Sequence, residues 1–527
     1  MTSAQLELSQ SVVTEPEQVN KWAVAAAVAT GALLEVLDTS IVNVALAEIQ
    51  SAVGATLTQV SWVVSSYAVA NVIVLPLSAW LGQRFGKKRY FVFSMIGFTL
   101  ASMLCGMATS LPMLVVARVL QGLAGGGLLA KAQAILFETF PREEQAMAQG
   151  FFAAIAIAGP VVGPTLGGFI TTHSSWRWIF FVNVPVGILA VLLSMSALPR
   201  DKPRGAGESI DWTAIGLLAV GLGCLQTFLE EGNSKGWFDS RLISVLAVLA
   251  VGALGVFVRR ELRSDQPVVD LRVLRYRSLW AGSLLSIVVG LALYGALFAI
   301  PIFAQSIMHY TSQQTGLLLF PSAISTAITV MLASRLVRYV DPRLVLLTGG
   351  FILVGALNWT GRLTASTGDA QLFWPLIVRA IGSGLMFLPL NLAALAPIPR
   401  NEVAKATGFF NLTRQLGGSL GVALLSTILD RRIAFHRNVL ISHMPVDDPQ
   451  LLERIDQLAH GFTRQGASEA LAHARALAVL DSQVARQASI LSFNDTFFVT
   501  GAIVLCILPL VFLLGKPTGT TPVPDAH

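Results

Sequence analysis

Charge is scarce in this chain. Only 13% of its 527 residues are Asp, Glu, Lys or Arg, while 54% are hydrophobic, and the mean hydropathy is +0.67. A soluble domain carries about 25% charged residues, so an ordinary water-soluble fold is excluded. Cysteine is scarcer still. Cys105, Cys224 and Cys506 are scattered through the sequence and make neither a disulfide framework nor a metal site. No histidine falls deep in an apolar run, and neither an HExxH stretch nor a Gly-x-Ser-x-Gly in a strand-to-turn context occurs. That argues against an enzyme working inside the membrane and leaves no cofactor or metal to expect. Residues 1–20 are polar, with Glu7, Glu15 and Glu17, and have no basic segment leading into an apolar one. They read as a tail rather than a cleaved signal.

What is present is a series of apolar runs. Counting those long enough to cross a bilayer, about 20 residues each, gives fourteen spans, the first at 22–47 and the last at 490–514. Residues 141–163 and 399–421 align without a gap at an offset of 258 and share ten of 23 positions, among them Gly150/Gly408, Gly159/Gly417 and Gly163/Gly421. A parallel repeat in so apolar a chain reads as two homologous membrane halves. At roughly 30 residues per span and loop the offset holds about eight helices, so six form the unit and two are inserted. The fold class expected is all-α integral membrane. Its divisions are a tail (1–21), a six-helix bundle (22–198), inserted helices 7 and 8 with linkers (199–278), a second six-helix bundle (279–514) and a tail (515–527).

Lys and Arg set the orientation. Arg84, Lys87, Lys88 and Arg89 follow span 2, Arg200, Lys202 and Arg204 follow span 6, and six arginines follow span 8, whereas the loops after spans 1, 3, 5 and 11 are nearly free of both. The positive-inside rule then puts both termini in the cytoplasm of an inner-membrane protein. It also accounts for the net charge of +6 without a nucleic-acid partner. The loop 429–489 breaks the pattern of short connections and falls on the outer side. Asp448-Pro449 reads as an N-cap and first-turn proline of a helix ending near Gly461. From about Ser468, strong helix formers continue unbroken into span 14, which predicts a helical hairpin. Its histidines, His436, His443, His460 and His473, match no compact metal spacing.

A charge at the bilayer centre costs roughly 2.5–3.5 kcal/mol even on the lenient insertion scale, so each one needs a reason. Span 1 carries Glu35 and Asp38, three residues apart on one helix face, about 18 and 14 Å below the outer edge. Two buried carboxylates so close favour holding a proton at cellular pH. Arg118, about 9 Å from the outer edge of span 4, stands near the height of Asp38, and Gln121 and Gly122 follow it. Arg379 repeats that placement in span 12, and Arg414 lies near the middle of span 13; each suits either a substrate contact or a tie to backbone carbonyls. The candidate proton-coupling residues are Asp38, Glu35 and Arg118. The candidate substrate cavity adds Asn43, Gln121, Asn391, Asn411 and Arg414 to Glu35.

Two further motifs concern shape. Gly159-Pro160-x-x-Gly163-Pro164-x-x-Gly167-Gly168 in span 5 clears one helix face for close approach and bends the helix. Gly82-Gln83-Arg84-Phe85-Gly86-Lys87-Lys88 makes a basic glycine turn between spans 2 and 3. With Leu37-Asp38-Thr39-Ser40-Ile41-Val42-Asn43, Arg118-x-x-Gln121-Gly122 and Trp176-Arg177-Trp178-Ile179-Phe180-Phe181, these motifs resemble the signatures of the major facilitator superfamily. The branch they are most similar to is the fourteen-helix drug:proton antiporters of the EmrB type. One position departs from the family pattern: Gln83 stands where an acidic residue is usual.

The resemblance implies a drug:H+ antiporter exporting amphipathic or hydrophobic compounds across the inner membrane. It also implies a periplasmic adaptor protein, docked on the outer loop, and a TolC-like outer-membrane channel. The alternatives are a dedicated exporter of one endogenous compound, such as a fatty acid, bile salt or siderophore, and a proton-coupled importer.

Overall fold

Every regular element among the described residues, 20–201, 210–445 and 447–514, is helical in this computed structural model. The tail segments 1–19 and 515–527, linker residues 202–209 and the side chain of Pro160 lie outside them. The chain runs through α1 (Lys21–Val53), the one-turn α2 (Leu57–Val60), α3 (Trp62–Phe85), α4 (Lys87–Gly106), α5 (Leu111–Gly125) and α6 (Leu128–Thr139). It continues through α7 (Arg142–His173), the one-turn α8 (Trp178–Phe181) and α9 (Asn183–Ala197). The paired α10 (Trp212–Glu231) and α11 (Arg241–Arg263) follow. The remainder is α12 (Arg277–Ser306), α13 (Ser312–Leu336), α14 (Pro342–Thr360), α15 (Asp369–Leu395), α16 (Val403–Ser442), α17 (Pro449–Arg464) and α18 (Glu469–Ile507). Eleven stretches among the described residues are long and apolar enough to cross a membrane. The spans read at 147–171, 279–302 and 405–428 are helices too, within α7, α12 and α16, but fall outside that set.

The sequence repeat has a packing counterpart. α7 lies on α1 as α16 lies on α12. A Cβ on Gly159 would stand 2.7 Å from Val36 Cγ1, one on Gly167 2.9 Å from Ile41 Cγ1, and one on Gly163 would overlap the Ser40 hydroxyl. At the equivalent positions, a Cβ on Gly417 would stand 2.6 Å from Ile287 Cα and one on Gly421 2.7 Å from Leu291 Cα. Glycines every fourth residue let two backbones approach this closely. Gly150 and Gly408 instead face the opposite half: their Cβ atoms would stand 2.7 Å from Ser334 Cβ of α13 and 3.5 Å from Leu75 O of α3. α13 also meets the far end of α7, where a Cβ on Gly316 would stand 2.9 Å from Thr165 Cα, so α7 packs on α1 and α13 together.

Two departures from the sequence reading matter for the site. Span 4, read as one helix over 112–136, is broken: α5 stops at Gly125, Gly127 takes a left-handed φ of +76°, and α6 starts at Leu128. Three glycines in a row supply the backbone freedom for that break. The span 13 helix also does not stop near 428 but runs on to Ser442 as the first arm of the hairpin. Asp448 caps α17, accepting the Gln450 N–H at 2.9 Å, and α17 packs on α18. Arg437–Asp481 at 2.6 Å, with Arg432 and His436 on Asp495 at 2.5 and 2.7 Å, joins α16 to α18.

Candidate functional site

Asp38 is the hub of a closed hydrogen-bond network. One carboxylate oxygen accepts from Arg118 Nη1 at 2.5 Å; the other accepts from Gln121 Nε2 and Asn183 Nδ2, both at 2.9 Å. Arg118 also donates from Nε to the Val63 carbonyl at 2.8 Å and from Nη1 to Gln121 Oε1 at 2.7 Å, and its guanidinium lies 4.3 Å from the Tyr67 ring centroid. Asn183 reaches on to Ser102 at 3.1 Å. Asp38 is 0% and Arg118 1% exposed, so this ion pair is dry. Such a pair holds its position because hydrogen bonds from Gln121 and Asn183 and to the Val63 carbonyl surround it, although Asn183 Oδ1 has no partner among the described residues. The network ties α1, α3, α4, α5 and α9 together through one titratable group.

Glu35, one turn earlier on α1, belongs to a different cluster. Its oxygens accept from Asn71 Nδ2 and from the Leu129 backbone N–H, both at 2.7 Å. The second bond exists because of the glycine break. Leu129 is in the first turn of α6, where an N–H has no partner inside its helix and the helix dipole favours an anion. Nearby on α6, Lys131 donates to Ser94 at 2.8 Å and stacks 3.7 Å from the Tyr90 ring centroid. The two acids of span 1 therefore share a helix face without sharing partners.

The other cavity candidates separate. Asn391 and Asn411 meet at Gln133 of α6, which donates to Asn391 Oδ1 at 3.0 Å and accepts from Asn411 Nδ2 at 2.7 Å. Arg414 donates to Asn411 and lies 4.9 Å from the Phe387 ring centroid. Its charge is near enough to interact with that of Glu35 across the seam. Gln121 is held in the Asp38 network, and Asn43 is exposed, donating only to Thr39 O of its own helix at 3.3 Å. Arg379 is buried, and among the described residues its Nε has no partner, so the expected tie to backbone carbonyls through that atom is not seen.

In the basic turn, Gly86 has φ +93° and a Cβ there would overlap Asp201. Asp201, from the loop after α9, accepts the N–H groups of Lys88 and Arg89 at 3.0 Å each and so caps α4. The chain thus places an acid at this turn from another loop, while Gln83 occupies the usual acidic position. Lys87 pairs with Glu138 of α6 at 2.5 Å, and Gly82, Gln83 and Lys87 line a pocket with Lys131, Glu138 and Arg400. Arg84 lies 5.7 Å from the Trp80 ring centroid. Pro164 lies within the unbroken α7. At the start of α10, hydrogen bonds from Arg260 hold the Asp211 carboxyl below the usual carboxylate range, joining α10 to α11.

Several residues of these clusters escaped the sequence reading. Asn183 belongs to the same family motif as Trp176–Phe181, two residues further on, but the motif assigns it no part in the Asp38 network. Asn71 and Gln133 are single polar residues in apolar runs, the one signal that could have singled them out. Glu230 and Glu231 close α10 just past the read end of span 7. Among the described residues no group of His, Cys, Asp and Glu is arranged to hold a metal ion.

The model of the Major Facilitator Superfamily matches residues 28–422. Among curated proteins, the chain is 32% identical over 496 residues to the multidrug export protein EmrB of Haemophilus influenzae, covering 94% of this chain and 96% of that one. It is 31% identical over 484 residues to the fatty acid resistance protein FarB of Neisseria gonorrhoeae, covering 92% and 94%. Among solved structures, the proton:xylose symporter XylE superposes with a TM-score of 0.60 at 11% identity, covering 93% of this chain and 95% of that one.

Proposed function

We propose that this chain, which belongs to the major facilitator superfamily, is a proton-coupled exporter of amphipathic and hydrophobic compounds. It is a multi-pass membrane protein, and its family consists of transporters rather than enzymes. In our reading α7, α12 and α16 cross the membrane alongside the eleven apolar stretches. The chain then has fourteen crossings in two six-helix bundles, with α10 and α11 inserted, and both termini in the cytoplasm of the inner membrane. The single observation that carries the function is the Asp38 carboxylate, fully buried in the first helix and held by one cation and two amides. Arg118 and a proton compete for the same carboxylate, so a displacement of Arg118 during the cycle opens an oxygen of Asp38 to a proton and its return closes it. A membrane potential of 100 mV supplies about 2.3 kcal/mol for each charge carried across.

The substrate path runs along the seam where Glu35 faces Arg414 and Gln133 links Asn391 and Asn411. The likeness to EmrB supports a range of drugs; the likeness to FarB supports a second reading, a dedicated fatty acid exporter. The α16–α18 hairpin docks a periplasmic adaptor that leads to an outer-membrane channel. Deleting residues 445–470 is expected to abolish resistance in cells yet leave ethidium transport by the purified protein in liposomes intact. Loss of liposome transport by the folded variant would assign the hairpin to the transport cycle instead. Ethidium accumulation in everted vesicles, driven by internal acidification, tests export itself. Vesicles that fail to accumulate dye would favour import.

A further inference from the structure

An inserted pair of helices has no evident task in a transporter built of two bundles, yet α10 ends at the seam. Gln226, fully buried, donates to Glu230 Oε1 and to Ser419 Oγ of α16, both at 2.7 Å. Ser65 of α3 stands beside the same carboxylate, and Ser61 Oγ lies 3.4 Å from Glu231 Oε1. Just past the helix, Asn233 donates to Asp430 at 2.6 Å and Trp237 to Thr427 Oγ1 at 3.0 Å, both on α16. One end of the inserted pair is therefore bonded to α3 on one side of the seam and to α16 on the other.

Two acceptors in this bridge lack a donor among the described residues: Glu230 Oε2 and Gln226 Oε1, both buried. A buried acceptor without a donor is costly, most of all when it carries charge. Among the described residues no cation acts on Glu230. Glu231 is its immediate neighbour, and Lys235 lies 3.8 Å from Glu231. α3 offers Tyr67 and has no cation before Arg84 at its far end. α16 offers Asp430, already bonded to Asn233, the exposed Arg431, Arg432 paired with Asp495, and Arg414 more than a turn deeper than Ser419. α11 offers Arg241 at its start. What the arrangement lacks is a hydrogen.

We infer that Glu230 is a second proton-binding carboxylate. It holds a proton on Oε2 while α10 bridges the two bundles, and gives it up when the bridge opens. This rests on the orientation proposed above, which makes this end the outer one, so the proton comes from the outer water. One O–H bond forms on loading and breaks on release, and no other group changes. The inserted pair thus contributes a titratable latch to the transport seam.

The test is pH-difference infrared spectroscopy of the full-length protein in nanodiscs between about pH 5 and about pH 9, a range above that of ordinary carboxyls. A neutral carboxylic acid band that titrates in this range is expected in the wild type and in Glu230→Asp, and the component due to this residue is expected to be lost in Glu230→Gln and kept in Asp38→Asn. Glutamine keeps the size and supplies the missing donor, so the variant should fold. In liposomes, Glu230→Gln should weaken the dependence of ethidium transport on outer pH, leaving the part carried by Asp38, and run several-fold slower at the wild-type optimum. A spectrum unchanged by Glu230→Gln, or a transport profile that keeps the wild-type pH dependence, overturns the inference. Failure of the exporter reading would appear separately, as absence of ethidium transport by the wild type with the band still present.

Discussion

Asp38→Asn, often chosen as a silent neutral replacement, is not silent in this geometry. The carboxylate accepts from Arg118, Gln121 and Asn183, using both oxygens. An asparagine keeps one acceptor oxygen and turns an NH2 toward donors already aimed at the other, so at least one bond is lost and one repulsive contact made. Arg118, 1% exposed, keeps its charge without a counter-ion. Removing one member of a buried pair costs about 3–5 kcal/mol, against about 0.2–1 kcal/mol for an exposed pair. Folded proteins hold about 5–15 kcal/mol of stability in all. The variant should therefore fold with a markedly lower thermal midpoint. Combining it with Arg118→Gln removes the stranded charge and should restore most of the loss, while proton coupling stays absent. The assay is a double-mutant cycle of thermal midpoints, run beside ethidium-induced proton release from detergent-solubilised protein across about pH 6–9. An Asp38→Asn protein as stable as the wild type would refute the energetic argument. One that releases protons undiminished would refute the coupling role and leave Asp38 a structural partner of Arg118.

Gly163→Val should destabilise by about 1–3 kcal/mol through overpacking and block transport, because even a Cβ there overlaps Ser40; a stable, active variant would show that α1 and α7 can separate. Arg379→Met should raise the thermal midpoint, since it removes a buried guanidinium whose Nε has no partner among the described residues and a buried polar group without a partner is costly; a lower midpoint would show that the guanidinium has a stabilising partner. Asp201→Ala should cost about 0.5–2 kcal/mol, as for a lost N-cap, measurable as a lower midpoint, because α4 loses the acceptor of two N–H groups. An unchanged midpoint would mean that water replaces the carboxylate.

Much of this site can be read from residue types alone, but unevenly. Glu35, Asp38 and Arg118 stand out because a charge in an apolar run needs a partner. That Asp38 and Arg118 lie at one height follows from counting helical rise. Their separation into two clusters does not follow. Glu35 and Asp38 sit on one face of α1, yet Glu35 turns to an N–H that exists only because Gly125-Gly126-Gly127 break the next span but two. Gln83 pointed to a missing acid at the basic turn; Asp201, more than a hundred residues on, stands there instead.

What the sequence by itself determined is the order of apolar segments, the internal repeat and the long helical hairpin. These are properties of local composition and spacing, and a bilayer reads hydrophobicity along one dimension. Only the tertiary structure decided which polar groups meet: Gln133 with Asn391 and Asn411, Asn183 with Asp38, Gln226 with both Glu230 and Ser419. The reason is that a membrane helix is apolar all round. Lipid and protein interior are equally greasy, so hydrophobicity does not say which face turns inward. The rotation of each helix is set instead by the close fit of glycines such as Gly163 and Gly421 against a neighbouring backbone, and that fit exists only once the helices are packed.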